Sequence, residues 1–127
     1  MRTVQDMVAE AKARIREIDA DQLRQMQARG VPVIDVREPG EFAEGHIPGA
    51  VNIPRGVLEF EVDGHPAVNC VRDPALGHRD QPVIINCRSG ARSAMAADAL
   101  RQLGFAEPLS LAGGFVGWAG AGLPVER

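Results

Sequence analysis

Apolar positions recur at helical spacing in some stretches of this chain and gather into short unbroken runs in others. Val4, Met7, Val8, Ala11, Ile15 and Ile18 follow the helical spacing, which predicts an amphipathic helix from residue 3 to about residue 14. Its apolar face can pack on the rest of the chain or meet a partner. Asp19-Ala20-Asp21-Gln22 supplies an N-cap with a glutamine placed to reach back, so a second helix follows. That helix buries Leu23 and Met26 and stops at Gly30. Val31 to Val36 is then a short buried strand. Pro39 and Gly40 open a turn, Glu41 to Glu44 make one helical turn, and Gly45 to Gly49 form a loop into a short strand, Ala50 to Ile53.

Residues 54 to 81 are the least regular, punctuated by Gly56, Gly64, Pro66, Pro74 and Gly77. Within them, Val57 to Val62 is an apolar segment compatible with helix or strand. Val83-Ile84-Ile85-Asn86 places apolar side chains in succession, as a strand covered on both faces requires, and such strands belong to parallel sheets. A helix from about Ala91 to Leu103 buries Ala94, Ala97, Leu100 and Leu103 and ends at Gly104. Pro108 to Leu111 is a last short strand, and Gly113-Gly114-Phe115 turns into a final helix around Val116 to Ala119. Strands alternate with helices, so the class is α/β with a parallel sheet.

At 127 residues and 13.6 kDa the chain is expected to form one domain with a real core. A net charge of −3 gives no basic surface for nucleic acid. Two cysteines, Cys70 and Cys87, are too few for a disulfide-built domain, and a reactive thiol suits the reducing cytosol. Residues 1 to 18 are charged throughout, unlike a signal peptide, and no stretch approaches a membrane span. A soluble cytoplasmic protein without membrane or nucleic-acid partners is the expectation. The Cys and His spacings match no zinc template, so neither a metal nor another cofactor is expected.

Chemistry concentrates in Cys87-Arg88-Ser89-Gly90-Ala91-Arg92-Ser93, between a buried strand and a helix start. Backbone N–H groups can converge in such a loop, and a helix N-terminus adds about half a positive charge. These surroundings, with two arginines, favour a thiolate over a thiol. Cys87 is therefore the candidate nucleophile, against the alternative of a core cysteine that ends a strand. Arg88, Ser89, Gly90, Ala91, Arg92 and Ser93 are the candidate substrate-binding residues. Arg92 can face the substrate or pair with an acidic residue, Arg88 can be solvated, and Ser93 can cap the helix or bond the sulfur. Leu58 and Phe60 are expected at the pocket mouth, with Phe115 and Trp118 in the core, Trp118 alternatively walling the pocket. Cys70 either resolves an oxidised Cys87 or is inert. His65 and His78 are expected to be exposed. Asp35, Arg37, Glu41, Glu44 and His46 are expected to form a hydrogen-bonded set that fixes the turn after the Val31–Val36 strand.

Three blocks in register resemble the rhodanese (sulfurtransferase) family. They are Ile34-Asp35-Val36-Arg37-Glu38 with Glu41-Phe42 and Gly45-His46-Ile47-Pro48-Gly49-Ala50; the cysteine loop itself; and Leu111-Ala112-Gly113-Gly114-Phe115 with Trp118 and Gly122-Leu123-Pro124-Val125. The resemblance covers residues 18 to 127, the expected domain, and leaves residues 1 to 17 as an N-terminal helical extension. It implies a five-stranded parallel sheet with helices on both faces. It also implies a Cys87 persulfide that carries sulfur from a small anionic donor such as thiosulfate to cyanide or a thiol acceptor. Thiosulfate users in the family often carry a basic residue where this chain has Ser89, and Glu41 adds no positive charge to the first block. Rhodanese-fold phosphatases and arsenate reductases place five residues between cysteine and arginine, whereas four separate Cys87 from Arg92 here. A non-catalytic binding module, or a persulfide carrier docking a protein partner through the N-terminal helix, is the other alternative.

Overall fold

The computed structural model describes residues 1–127. Helix α1 (Val4–Arg14) starts at Thr3, whose hydroxyl accepts from the Asp6 N–H while the Asp6 carboxylate accepts from the Thr3 N–H. Strand β1 (Arg16–Ile18) follows, a three-residue element too short to register as a period. Ile18 fits the helical spacing of the N-terminal segment yet belongs to this strand. Helix α2 (Ala20–Ala28) begins with the expected capping box, Asp19 and Gln22 exchanging side-chain-to-backbone bonds at 2.8 and 2.9 Å.

Next come β2 (Val33–Asp35), α3 (Pro39–Glu44) and β3 (Val51–Asn52). The ambiguous apolar segment resolves as a short 3-10 turn at Arg55–Val57 and helix α4 (Leu58–Glu61). Strand β4 (Pro82–Asn86), helix α5 (Ala91–Leu103), strand β5 (Glu107–Leu111) and helix α6 (Gly114–Gly120) complete the chain. No helix is long and apolar enough to cross a membrane.

The five strands pair in the order β1-β5-β4-β2-β3, all parallel. One face of the sheet packs Ile34, Ile85 and Cys87 against Leu58 of α4 and Ala96, Ala97 and Leu100 of α5. The other packs Val33, Ile84 and Leu109 against Leu23 of α2 and Trp118 of α6. Helices therefore cover both faces, which is why the central strands carry unbroken apolar runs. Helix α1 lies outside α5, buries Ala11, and is pinned where Arg14 donates to both carboxylate oxygens of Asp98 at 3.1 and 3.0 Å.

The strand order locates the functional edge. From β2 the chain moves outward to β3, and from β4 it moves the opposite way to β5. Connections leaving the carboxyl ends of β2 and β4 thus diverge and open a crevice between them, the usual ligand position in such sheets. The Cys87 loop and the turn at Arg37 flank it.

The irregular segment is tied down at the opposite end of α5. Asp63 accepts from Arg79 Nη2 at 2.6 Å and lies 2.6 Å from His78 Nε2, while Arg79 also bonds the Leu103 carbonyl. His78 is not exposed as expected: its side chain is only 7% accessible, held by Asp63 and set edge-on to Phe105. His65 is half-buried, its Nδ1 accepting from the Ala67 N–H. The Asp63 carboxyl is held below its ordinary value, chiefly by the Arg79 hydrogen bond, with burial opposing. A depressed carboxylate pKa stabilises the fold above the unfolded value, and that stabilisation is lost as pH falls through the folded one. The stability gap between wild type and Asp63→Asn should therefore be widest near neutral pH and close on acidification. Urea midpoints across that range measure it.

Candidate active site

Strand β4 is the central strand, and Cys87 follows its last residue. Cys87 is 1% exposed. The loop after it closes around the sulfur. The Gly90 N–H donates to Cys87 Sγ at 3.0 Å, and the thiol reaches Ser93 Oγ at 3.3 Å. Ser93 Oγ is in turn 2.8 Å from Ser110 Oγ on β5. Gly90 sits at φ +105°, a left-handed conformation that turns its N–H inward without a side chain in the cradle. The first N–H groups of α5 have no intrahelical partner and carry the positive end of the helix dipole toward the loop.

The loop is fixed from behind by α6. The Cys87 carbonyl accepts from the Phe115 N–H at 2.8 Å, and the Arg88 carbonyl from the Val116 N–H at 3.0 Å. This requires close approach at Gly114. A Cβ there would lie 2.6 Å from the Arg88 oxygen and 2.8 Å from the Cys87 oxygen. With both carbonyls drawn toward α6, the N–H side of the loop is left to face the sulfur.

The candidate residues separate by role. Ser93 bonds the sulfur, and Gly90 supplies its donor. Arg92 pairs with an acidic residue: its Nη1 and Nη2 reach the two carboxylate oxygens of Glu41 at 2.9 and 3.0 Å. Those hydrogen bonds, against the opposing effect of burial, hold the Glu41 carboxyl down to about 2, and Arg92 is raised in return. Arg88 is exposed and its guanidinium makes no ion pair. It lines a cleft of about 390 Å³ that also touches Arg37, Glu41, Glu44 and Phe115. Ser89 is exposed at the loop tip. Ala91, half-buried, borders a shallow apolar groove formed with Val4, Val8 and Lys12 of α1.

The residues of the first block form several contacts rather than one set. Asp35, wholly buried, accepts from Arg37 Nε at 3.0 Å and Nη2 at 2.8 Å, and Arg37 Nη2 also donates to the Gly45 carbonyl at 2.7 Å. His46 stacks on Phe42, and its Nε2 lies 3.3 Å from Glu126 near the chain's end. Glu41 turns away to Arg92, and the Glu44 carboxylate has no partner. Leu58 and Phe60 do not flank the cleft. Leu58 is fully buried in the core, and Phe60 is 88% exposed on α4. Phe115 packs half-buried against the core as expected, and it also lies over the Arg37 guanidinium at 4.5 Å and forms a cleft wall. Trp118 does pack in the core, at 3% exposure. Cys70 is an exposed free thiol.

A family model described as the rhodanese-like domain matches residues 19–121. The chain belongs to the rhodanese family. A sulfurtransferase of Allochromatium vinosum is 36% identical over 113 residues, 87% of this chain and 94% of its own length. The thiosulfate sulfurtransferase GlpE of Pseudomonas aeruginosa is 34% identical over 103 residues, covering 81% of this chain and 83% of that one. Among solved structures, the human single-domain sulfurtransferase covers 82% of this chain and 95% of its own, with a TM-score of 0.69 and 29% identity. A Rhodopseudomonas palustris protein of unknown function, described as a possible tyrosine phosphatase, covers 99% and 96% with a TM-score of 0.81 and 31% identity. The rhodanese fold expected from the three sequence blocks is the fold found.

Sequence reasoning passed over Ser110 and the true position of Gly114. The signal for the first was a hydroxyl inside the apolar run Leu109-Ser110-Leu111; for the second, a paired glycine where one suffices for a turn. Gly114→Ala is expected to cost about 1–3 kcal/mol of stability through backbone overlap. It should also depress Cys87 reactivity, because the clash falls on the loop itself. Urea denaturation and the rate of Cys87 alkylation measure the two effects.

Proposed function

We propose that this rhodanese-family chain is a single-domain sulfurtransferase that works through a persulfide on Cys87. The observation that carries the reading is the Gly90 N–H at 3.0 Å from Cys87 Sγ, within a loop that opens a helix. Such a donor stabilises negative charge on sulfur as an oxyanion hole does on oxygen. The relatives named as sulfurtransferases support the same reading.

In the first half-reaction the Cys87 thiolate attacks the outer sulfur of a sulfane donor. A sulfur–sulfur bond forms at Cys87 as the donor's own breaks, and the leaving group departs with the bonding electrons: sulfite from thiosulfate, or a thiolate from a persulfide. In the second, cyanide or an acceptor thiolate attacks the terminal sulfur, and the Cys87 thiolate leaves. The N–H groups of residues 88 to 93 hold the charge on the terminal sulfur between the two steps. Ser93 Oγ, 3.3 Å away, is a second partner that positions Sγ. A carrier role, handing sulfur to a protein thiol, is an extension of this chemistry. The groove between α1 and Ala91 lies beside the loop such a partner would have to reach.

The phosphatase alternative is favoured only by the description of the Rhodopseudomonas neighbour. Four residues between Cys87 and Arg92 make a narrower cradle than phosphatases use, and Arg92 is held by Glu41 rather than left for an oxyanion.

Intact mass after incubation with sulfane donors tests the reading. The expected result is a gain of one sulfur, about 32 Da, that is reversed by cyanide and absent in Cys87→Ser, as covalent catalysis on this residue requires. No adduct with any donor, or hydrolysis of an aryl phosphate, would overturn it.

A further inference from the structure

Resting on the sulfurtransferase reading, we infer that Glu44 and Arg88 make the cleft beside the cysteine loop a recognition site for a sulfane donor that carries both an ammonium and a carboxylate, an amino-acid-type persulfide rather than a simple dianion such as thiosulfate. The inference follows from which charges at the cleft are already taken.

Two cations near the loop have carboxylate partners. Arg37 is bound to Asp35 and the Gly45 carbonyl, with its guanidinium under Phe115. Arg92 is bound on both nitrogens to Glu41. What remains is one cation and one anion. Arg88 makes no ion pair, and the Glu44 side chain is exposed and accepts no hydrogen bond; Arg127 binds the Glu44 backbone carbonyl rather than its carboxylate. Arg88 and Glu44 both border the same cleft of about 390 Å³, with Phe115, Val116 and Ala119 as its apolar wall.

A dianion entering this cleft meets one unpaired cation, Arg88, beside one unpaired carboxylate, Glu44, because Glu41 is taken by Arg92. Like charges in a shared cleft disfavour binding, so a small dianion is poorly matched. An α-amino-acid persulfide matches both free charges: its carboxylate meets Arg88, its ammonium meets Glu44, and its methylene faces the apolar wall. The cleft volume lies in the range of small-ligand sites. The reaction is unchanged from the one above. The donor's outer sulfur bonds Cys87 and the amino-acid thiolate leaves with the electron pair. Glu44 is a specificity-determining residue in this account and takes no part in bond making.

A matched donor pair tests the role of Glu44. Cysteine persulfide and 3-mercaptopropionate persulfide share the carboxylate and the sulfane sulfur and differ in the ammonium. The initial rate of sulfur addition to Cys87 is followed by intact mass for each donor, with wild type and with Glu44→Gln. Their intrinsic reactivities differ, so the readout is the change in the ratio of the two rates. Glu44→Gln is expected to lower the preference for cysteine persulfide roughly two- to fivefold, the scale of one exposed charge pair. It should leave thiosulfate a better donor than before, as the one unpaired carboxylate of the cleft is gone. A ratio unchanged by Glu44→Gln, with sulfur still added to Cys87, overturns this inference and leaves the sulfurtransferase reading standing. No addition from any of the three donors overturns both.

Discussion

Two carbonyl oxygens, those of Cys87 and Arg88, accept from the first N–H groups of α6, and the properties of the cysteine loop depend on that arrangement. A loop of seven residues has many ways to turn. Tying its carbonyls to a helix on one side leaves its N–H groups for the other, where the sulfur sits. The contact is possible only because Gly114 has no side chain, and it is anchored by Trp118, which buries the same short helix against the sheet. The sheet order completes the arrangement. Chain reversal between β2 and β4 opens the crevice, and α5 and α6 both begin at its rim.

Around this loop the charged side chains are organised chiefly in pairs. Asp35 holds Arg37 in the interior, where an unpaired charge would be costly, and Arg37 in turn fixes the Gly45 carbonyl and supports Phe115. Glu41 holds Arg92 at the surface and caps the Glu38 N–H with the same carboxylate. The cysteine is thus surrounded more by oriented backbone dipoles than by free positive charge. On the sulfurtransferase reading, that suits a polarisable sulfur better than a multiply charged oxyanion.

Much of this was legible in the sequence, for local reasons. Helix α5 matches its expected bounds because Gly90 and Gly104 delimit it, and α2 begins where Asp19 and Gln22 can cap each other. Cys87 stood out because its chemistry, its glycine and its arginines are neighbours in the chain. The unread parts depend on distance. Glu41 and Arg92 lie 51 positions apart, and nothing in either neighbourhood names the other as partner. Strand β1 has three residues and exists because β5 lies beside it. Leu58 and Phe60 share an apolar segment, but which of them faces the core is decided by how α4 docks, and the core took Leu58. Phe115 is apolar in composition, yet its ring serves a buried guanidinium at a cleft wall, a use that hydrophobicity alone does not reveal.

The pairing of charges at the cleft has a kinetic consequence. Opposite charges held within a few ångströms produce a field that fades faster with distance than that of an isolated charge, and a chain of net charge −3 adds no attraction for anions. On the proposed reading, an anionic donor therefore approaches against a weak net repulsion, and added salt, by screening it, raises the encounter rate. Selection among donors would on that reading fall after contact, in how long each one dwells beside the sulfur.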